Sequence, residues 1–204
     1  MTRWLRSATM VVAACLALLS IAPMAAADVV EDIARLTARY PDFSARHLLV
    51  VDISAQTLSW FENGKLRRQY PVSTSKYGIG SEAGSNKTPL GMHYIRRKIG
   101  ADAASATIFR GRVDTGRIAV IEPRPVATGD DFVTSRIMWL QGLDKGKNTG
   151  TGVDSWSRYI YIHGTHEEGL IGQPASHGCI RMRNADVIEL FASIPTKTLV
   201  WIQR

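Results

Sequence analysis

Residues 176–181 read Ser-His-Gly-Cys-Ile-Arg and are the most informative segment of this chain about its fold. Its Cys179 is one of two cysteines, and the other, Cys15, lies in the apolar N-terminal region. A lone cysteine in an exported protein has no partner for an internal disulfide. It is therefore buried and inert, paired with another molecule, or kept as a reactive group. The glycine and histidine beside Cys179 favour the reactive interpretation.

A histidine stands sixteen residues before this cysteine, in the segment His163-Gly164-Thr165. The preceding residues 159–162 alternate as a strand does, and a strand end is a rigid mount for a general base. A free thiol is only a few per cent ionised at neutral pH, so we expect a neighbouring His163 imidazolium to lower the pKa of Cys179. The backbone carbonyl of Gly164 is a candidate for holding the other ring nitrogen, since no acid lies nearby in sequence.

The N-terminus has the pattern of a secretory signal over residues 1–27. Arg3 and Arg6 precede an apolar run at 8–19, and small alanines follow at 25–27. The run is shorter than the roughly 20 residues of a membrane span, so we expect export to the periplasm or cell envelope without a stable span. Residues 12–15 also resemble a lipoprotein cleavage box, which would leave a lipid anchor on Cys15.

Removal of this signal leaves residues 28–204, which fit one domain by length. The formal charge of +7 falls to +5 because Arg3 and Arg6 leave with the signal. A modest positive excess suits an anionic polymer such as a cell wall. The sequence has no block of lysine and arginine, so nucleic acid is not an expected partner, and we expect a monomer.

The periodicity predicts a mainly β domain. Residues 28–46 form a predicted helix, 28–40, and a linker, and strand patterns begin at residue 47. Asn63-Gly64 is a hairpin turn signal, and Asn184 is expected to cap a helix over 184–194. Long polar loops at 73–89 and 142–157 are expected to line a site or to be mobile. The predicted strands are 47–53, 57–62, 65–72, 92–99, 117–121, 136–140, 159–163 and 199–202. The expected architecture is a β-sandwich or open barrel with one or two short helices.

The two motifs, in this order and at this spacing, resemble the signature of the bacterial L,D-transpeptidase catalytic domain, the YkuD-like family. Residues 87–91, Lys-Thr-Pro-Leu-Gly, resemble the Thr-Pro-x-Gly element of that family. The resemblance extends from about residue 48 to residue 203. It implies a catalytic domain over 47–204 that acts on peptidoglycan. The segment 100–157 carries no recognised motif, and a family-variable lid is one interpretation of it.

The resemblance also implies roles for individual residues. Cys179 would attack the carbonyl of the third residue of a tetrapeptide stem, and His163 would move the proton. The acyl group would pass to an amine on a second stem and give a 3→3 cross-link. Backbone groups of Gly178, Cys179 and Gly164 would support the oxyanion and the site. The residues expected at the substrate are Ser176, His177 and Arg181. No cofactor or metal is implied, and members of the family react with carbapenems.

Three alternatives stay open at the level of sequence. The same catalytic residues would serve an L,D-carboxypeptidase or a hydrolase of cross-links or wall anchors. A zinc site built from His163, His166, His177 and Cys179 has plausible ligand spacing, although His166 is expected to be a solvated loop residue. A non-enzymatic module that binds wall or metal, with an inert Cys179, is the third.

Overall fold

In a computed structural model of the protein, residues 35, 38–43 and 46–204 are described, and their strands form one β-sheet with a helix packed on it. The predicted signal at 1–27 and most of the predicted helix at 28–40 lie outside the described residues. The strands are β1 His47–Asp52, β2 Thr57–Glu62, β3 Lys65–Pro71, β4 Gly91–Ile99, β5 Thr107–Arg110, β6 Val113–Ile118, β7 Val133–Gly142, β8 Tyr161–Gly164, β9 Ile180–Met182 and β10 Leu199–Gln203. Helix α1 spans Asn184–Ser193, and a 3-10 helix spans Glu168–Leu170.

The sheet is open. Its strands follow the order β3-β2-β1-β10-β4-β7-β5-β6, and β8 pairs with β7 and with β9 at a branch from this path. The predicted mainly β fold class is confirmed, and the sheet is open and not closed into a barrel. Among the described residues, no helix is long and apolar enough to span a membrane.

The core lies between the sheet and α1. Val187, Leu190 and Phe191 of α1 pack against buried side chains of the central strands, including Met138 of β7 and Ile162 of β8. Burying these side chains stabilises the fold by about 1.5–3 kcal/mol each. This packing fixes β7 and β8, and through them the two segments that the sequence singles out.

The hairpin of β2 and β3 forms as its turn residues require. Asn63 and Gly64 have φ of 51° and 73°, the two positive values of a type I′ turn. The turn joins β2 to β3, which are antiparallel, with Glu62 opposite Lys65. A two-residue turn of this type matches the twist of the strands it joins, so it sets the register beside it, and the register shifts only farther along, between Trp60 and Phe61.

The expected cap of α1 is wrong in detail. Arg183 occupies the N-cap position without a side-chain cap, and Asn184 is the first helical residue. Glu168 Oε1 accepts hydrogen bonds from the Asn184 backbone N–H at 2.8 Å and from Asn184 Nδ2 at 2.7 Å. The Asn184 Oδ1 atom accepts from Thr134 and Ser135 of β7. A carboxylate at the helix N-terminus therefore takes over the capping role.

Three strand predictions also differ from the structure. β6 lies at Val113–Ile118 rather than at 117–121, and β5 and β9 are additional short strands. β9 has three residues; it pairs with β8, and its Arg181 also forms an isolated bridge to Ser73. A segment this short has too few residues to show a period, so the sequence cannot distinguish it from a loop.

Candidate active site

The pairing of β8 with β9 brings the two sequence motifs together. These strands are parallel, with Ile162 opposite Ile180 and His163 opposite Arg181. Because side chains alternate between the faces of a strand, the side chain of Cys179 shares a face with those of Arg181 and His163. Cys179 therefore lies one pleat away from His163, beside Tyr161.

The Cys179 sulfur is held by the backbone before and within β8. The Tyr161 N–H donates to Sγ at 3.4 Å, and the thiol donates to the Tyr159 carbonyl at 3.3 Å. Tyr159 has φ of 58°, a left-handed conformation that non-glycine residues rarely adopt. One side of Cys179 packs against a cluster that includes Trp139 and Tyr161, and part of the side chain remains exposed.

His163 is buried, and its ring is oriented by the main chain. Its Nδ1 lies 2.7 Å from the Gly164 carbonyl oxygen. A carbonyl can only accept, so Nδ1 carries the proton and the Nε2 lone pair of the neutral ring is available as a base. Burial lowers the pKa of His163, opposed in part by the Asp131 carboxylate and by the hydrogen bond to Gly164.

Burial disfavours the expected ion pair between Cys179 and His163 in the unliganded protein. Burial raises the pKa of Cys179 to about 12, although part of the side chain reaches solvent. The Tyr161 N–H and the positive charges of Arg158 and Arg181 act in the other direction without reversing the shift. Desolvation disfavours the charged form of both groups, so the resting pair is a neutral thiol and a neutral imidazole.

Ser176 shapes the cysteine loop, which we define as residues 176–179. Its hydroxyl donates to the Cys179 carbonyl at 2.6 Å and accepts from the Gly178 N–H at 3.2 Å. The side chain is fully buried. In the unliganded protein its hydroxyl is therefore occupied within the loop, and the expected contact of Ser176 with substrate stays a prediction.

The backbone donors of the cysteine loop differ from expectation. The Gly178 N–H is engaged by Ser176, whereas the Cys179 N–H has no acceptor in the described part of the chain. Gly164 contributes its carbonyl, which accepts the hydrogen bond from His163 Nδ1. Gly178 has φ of +118°, and a Cβ there would lie 3.2 Å from the Lys87 carbonyl oxygen, so the position requires glycine.

The polar loop at 73–89 braces the cysteine loop, as expected for a loop that lines a site. The Thr88 hydroxyl donates to the Gly178 carbonyl at 3.0 Å and accepts from the Ser75 N–H at 3.0 Å. Ser75 also forms a bridge to Ser176. The Thr-Pro-x-Gly element thus contacts the cysteine motif through a buried threonine.

Arg181 is buried beneath the site, with 1% of its side chain exposed. Its Nη1 lies 2.9 Å from Glu167 Oε2 and 3.1 Å from Asp131 Oδ1. Nε and Nη2 are buried without a hydrogen-bond partner among the described residues. The Arg181 guanidinium is therefore not exposed for the expected bidentate contact with a substrate carboxylate. Arg181 instead anchors two carboxylates behind His163.

His177 lies at the surface of the site. Its Nδ1 is 2.7 Å from Asp131 Oδ2, and 40% of its side chain is exposed. It borders a cleft of about 290 Å³, which we call the His177 cleft. The other residues that line this cleft are Ala83, Gly84, Asn86, Ser157, Arg158, Tyr159 and Ile160. A larger cleft of about 550 Å³, bordered by Tyr40 and Asp144, is lined by none of the predicted site residues.

A family model for the L,D-transpeptidase catalytic domain matches residues 46–202. The chain belongs to this family. The match confirms the resemblance to the family and the expectation of an enzyme of the L,D-transpeptidase class.

Relatives of known name agree with the family match. The chain is 51% identical over 165 residues to the YkuD protein of Bacillus licheniformis, which covers 80% of this chain and 69% of that protein. It is 29% identical over 166 residues to the YkuD protein of Bacillus subtilis, with coverage of 80% and 71%. Both relatives carry L,D-transpeptidase in their names. A solved L,D-transpeptidase from Mycobacterium smegmatis aligns with a TM-score of 0.47 and 18% identity, covering 78% of this chain and 59% of that one.

Asp131 is the main site residue that sequence reasoning missed. It bridges Arg181 and His177 and lies 50 and 46 positions before them. Burial raises the pKa of its carboxyl, but the positive charges and hydrogen-bond donors around it outweigh burial and hold the pKa below its ordinary value. No motif surrounds it in the segment 100–157, so only the fold reveals its position.

Arg112, from the turn between β5 and β6, is a second residue without a sequence signal. Its guanidinium lies 4.7 Å from the centre of a Trp139 ring and 4.9 Å from that of Tyr159. It donates to the Tyr161 hydroxyl at 3.3 Å. Cation–π contacts of this kind contribute about 0.5–1 kcal/mol at exposed positions. The hairpin from the unassigned segment therefore covers the aromatic side of Cys179.

The histidines do not assemble as the zinc alternative requires. Within residues 35, 38–43 and 46–204, no group of three or more His, Cys, Asp or Glu side chains could hold a metal ion. His166 is buried, contrary to expectation, with Nε2 2.8 Å from the Thr128 hydroxyl and its ring against Phe132.

Proposed function

We propose that this chain is a cysteine peptidyltransferase that joins peptidoglycan stem peptides through a thioester on Cys179, giving 3→3 cross-links. The observation that carries the proposal is the placement of Cys179 one pleat from His163, on the same face of paired strands, with the His163 ring oriented by the Gly164 carbonyl. Family membership supports the reaction class. The substrates are a donor tetrapeptide and an amine on a second stem.

In the first half of the reaction, the Cys179 sulfur attacks the carbonyl of the third stem residue. His163 Nε2 takes the thiol proton and gives it to the departing amine of the terminal D-alanine. Because thiol and imidazole are both neutral at rest, this proton moves as the S–C bond forms. General-base assistance of this kind contributes about 10²–10⁴-fold to a rate.

The oxyanion that forms during attack needs a donor near the sulfur. The Cys179 N–H is the best supported donor, since it has no acceptor in the described part of the chain. The Gly178 N–H can assist only if its hydrogen bond to the Ser176 hydroxyl breaks. A single preorganised donor of this type is typically worth about 3–4 kcal/mol.

The test uses purified protein and tetrapeptide-bearing muropeptides, with products identified by mass spectrometry. Dimers should form with the unmodified protein and disappear with Cys179→Ala. Dimer formation by that variant would refute the nucleophile. If tripeptide stems accumulate without dimers, the chain is an L,D-carboxypeptidase or a hydrolase on the same scaffold. A carbapenem should form an adduct with the unmodified protein and none with the variant.

We also propose that the protein acts after export, as a monomer in the periplasm or cell envelope. The support is the secretory pattern at 1–27. N-terminal sequencing of the mature protein from its host should give Asp28 as the first residue. A lipid-modified Cys15 at the N-terminus would show the anchored form instead, and an intact Met1 would contradict export.

A further inference from the structure

The second half of the reaction removes two protons from the acceptor, and His163 can carry only one of them. An acceptor with a lysine-like pKa of about 10.4 is almost entirely an ammonium ion at pH 7, with roughly four molecules in 10⁴ neutral. Forming the new amide removes two protons from that ammonium. One must return to the Cys179 sulfur, and the other must reach solvent. His163 is buried and can carry the first of these.

We propose that His177, oriented by Asp131, is the general base that deprotonates the acceptor amine. The proposal rests on the transpeptidase function proposed above and names the acceptor side of the same site. His177 Nδ1 is 2.7 Å from the Asp131 carboxylate, and Asp131 is tied to Arg181 at 3.1 Å. The carboxylate can only accept, so Nδ1 carries a proton and the Nε2 lone pair of the neutral ring is free to accept one.

The two histidines have matching hydrogen-bond patterns but opposite exposure. Each ring has Nδ1 fixed by an acceptor, the Gly164 carbonyl for His163 and the Asp131 carboxylate for His177. His163 is 2% exposed, whereas 40% of the His177 side chain reaches solvent. The buried ring suits proton exchange with the enclosed sulfur, and the exposed ring suits exchange with water.

The position of His177 also fits the entry of a second substrate. It stands two residues before Cys179 in the cysteine loop and lines the His177 cleft with Tyr159. Tyr159 in turn supplies the carbonyl that contacts the Cys179 sulfur. An amine in this cleft would approach the thioester from the solvent side, beside the Asp131 carboxylate that attracts its positive charge.

The acceptor ammonium gives one proton to His177 Nε2, which passes it to solvent. The neutral amine attacks the thioester carbonyl, the C–N bond forms and the C–S bond breaks. The second amine proton passes through His163 to the departing sulfur. The products are the amide, the Cys179 thiol and one released proton.

The experiment compares the unmodified protein, His177→Gln and the matched control Tyr77→Phe, whose ring contacts His177. In a single turnover, with enzyme in excess over donor, release of D-alanine reports acylation, and dimer formation reports transfer. For His177→Gln, transfer should fall at least tenfold more than acylation, mainly in kcat for the acceptor. This deficit should shrink as pH rises toward 10, because the amine then arrives neutral. Tyr77→Phe should keep the ratio of transfer to acylation of the unmodified protein.

Equal losses of acylation and transfer at every pH would show a structural role and overturn the proposal, as would a ratio unchanged by the substitution. If His177→Gln does not fold, the pH dependence of transfer by the unmodified protein tests the proposal instead. The neutral fraction of the amine falls about 100-fold from pH 9 to pH 7. Transfer should fall less than tenfold over this range, and a 100-fold fall would rule out a base. Absence of dimers from the unmodified protein would instead refute the transpeptidase function itself.

Discussion

Replacing His163 by glutamine separates two ways in which Cys179 can react. An alkylating reagent such as iodoacetamide needs a thiolate, whereas a carbapenem carbonyl can be attacked while His163 takes the thiol proton. With a pKa of about 12, Cys179 at pH 7 is ionised in roughly one molecule in 10⁵. A free thiol with a pKa near 8.5 is ionised in about 3%.

The ionised fractions differ by about 3,000-fold, and the greater nucleophilicity of a thiolate with a higher pKa offsets part of this difference. We therefore expect alkylation of Cys179 at pH 7 to be about 100- to 1,000-fold slower than that of a cysteine peptide, and to rise with pH up to at least pH 10. Carbapenem acylation should instead rise through the pKa of His163, which burial places below its ordinary value, and stay level above it. His163→Gln should lower acylation by about 100-fold or more and leave alkylation within threefold.

The assay is intact-mass spectrometry of samples quenched at timed intervals across pH 5 to 10, with thermal melting to verify that the variant folds. An alkylation rate that levels off below pH 8 would refute the reasoning, because it would reveal a preformed thiolate. Equal losses of both rates in the variant would also contradict it.

Three further predictions concern the supports of the site and the stability of the fold. Thr88→Val should lower the free energy of unfolding by about 2–5 kcal/mol in urea titrations, because the Gly178 carbonyl and the Ser75 N–H lose a buried partner; a loss below 0.5 kcal/mol would contradict this. Gly178→Ala should lower the free energy of unfolding by about 1–3 kcal/mol and slow carbapenem acylation, because its φ is positive and the new Cβ meets the Lys87 carbonyl. An unchanged melting temperature and acylation rate would contradict this prediction. Burial lowers the pKa of His93 to about 4, so below pH 6.5 the unfolded state binds a proton that the folded state refuses. As pH falls below 6.5, the free energy of unfolding should therefore fall by about 1.4 kcal/mol per pH unit, and by about 3 kcal/mol in total down to pH 4. A His93→Gln variant whose stability falls as steeply with acid would show that His93 is not the cause.

The sequence predicts the first half of the sheet well because its signals are local. Asn63-Gly64 sets the hairpin of β2 and β3, and β1 and β2 show strand propensity over six residues each. The pair Cys179 and His163 is predictable for a different reason, since the spacing of its two motifs is characteristic of a family. These signals do not depend on contacts between distant segments.

The remaining features depend on such contacts, so the sequence does not show them. Asp131 reaches His177 and Arg181 only after the sheet has folded. The sequence predicts a substrate contact for Ser176, whereas in the structure its hydroxyl is buried and donates to the Cys179 carbonyl. The raised pKa of Cys179 likewise comes from burial, a property of the packed site and not of the motif.

The most direct measurement is rapid acid quenching of the protein mixed with a donor tetrapeptide, followed by intact-mass and peptide mapping. The account predicts a covalent tripeptide acyl group on Cys179 that forms as D-alanine appears and decays when an acceptor amine is added. Dimers formed without any acyl group on Cys179, or an acyl group on another residue, would contradict it.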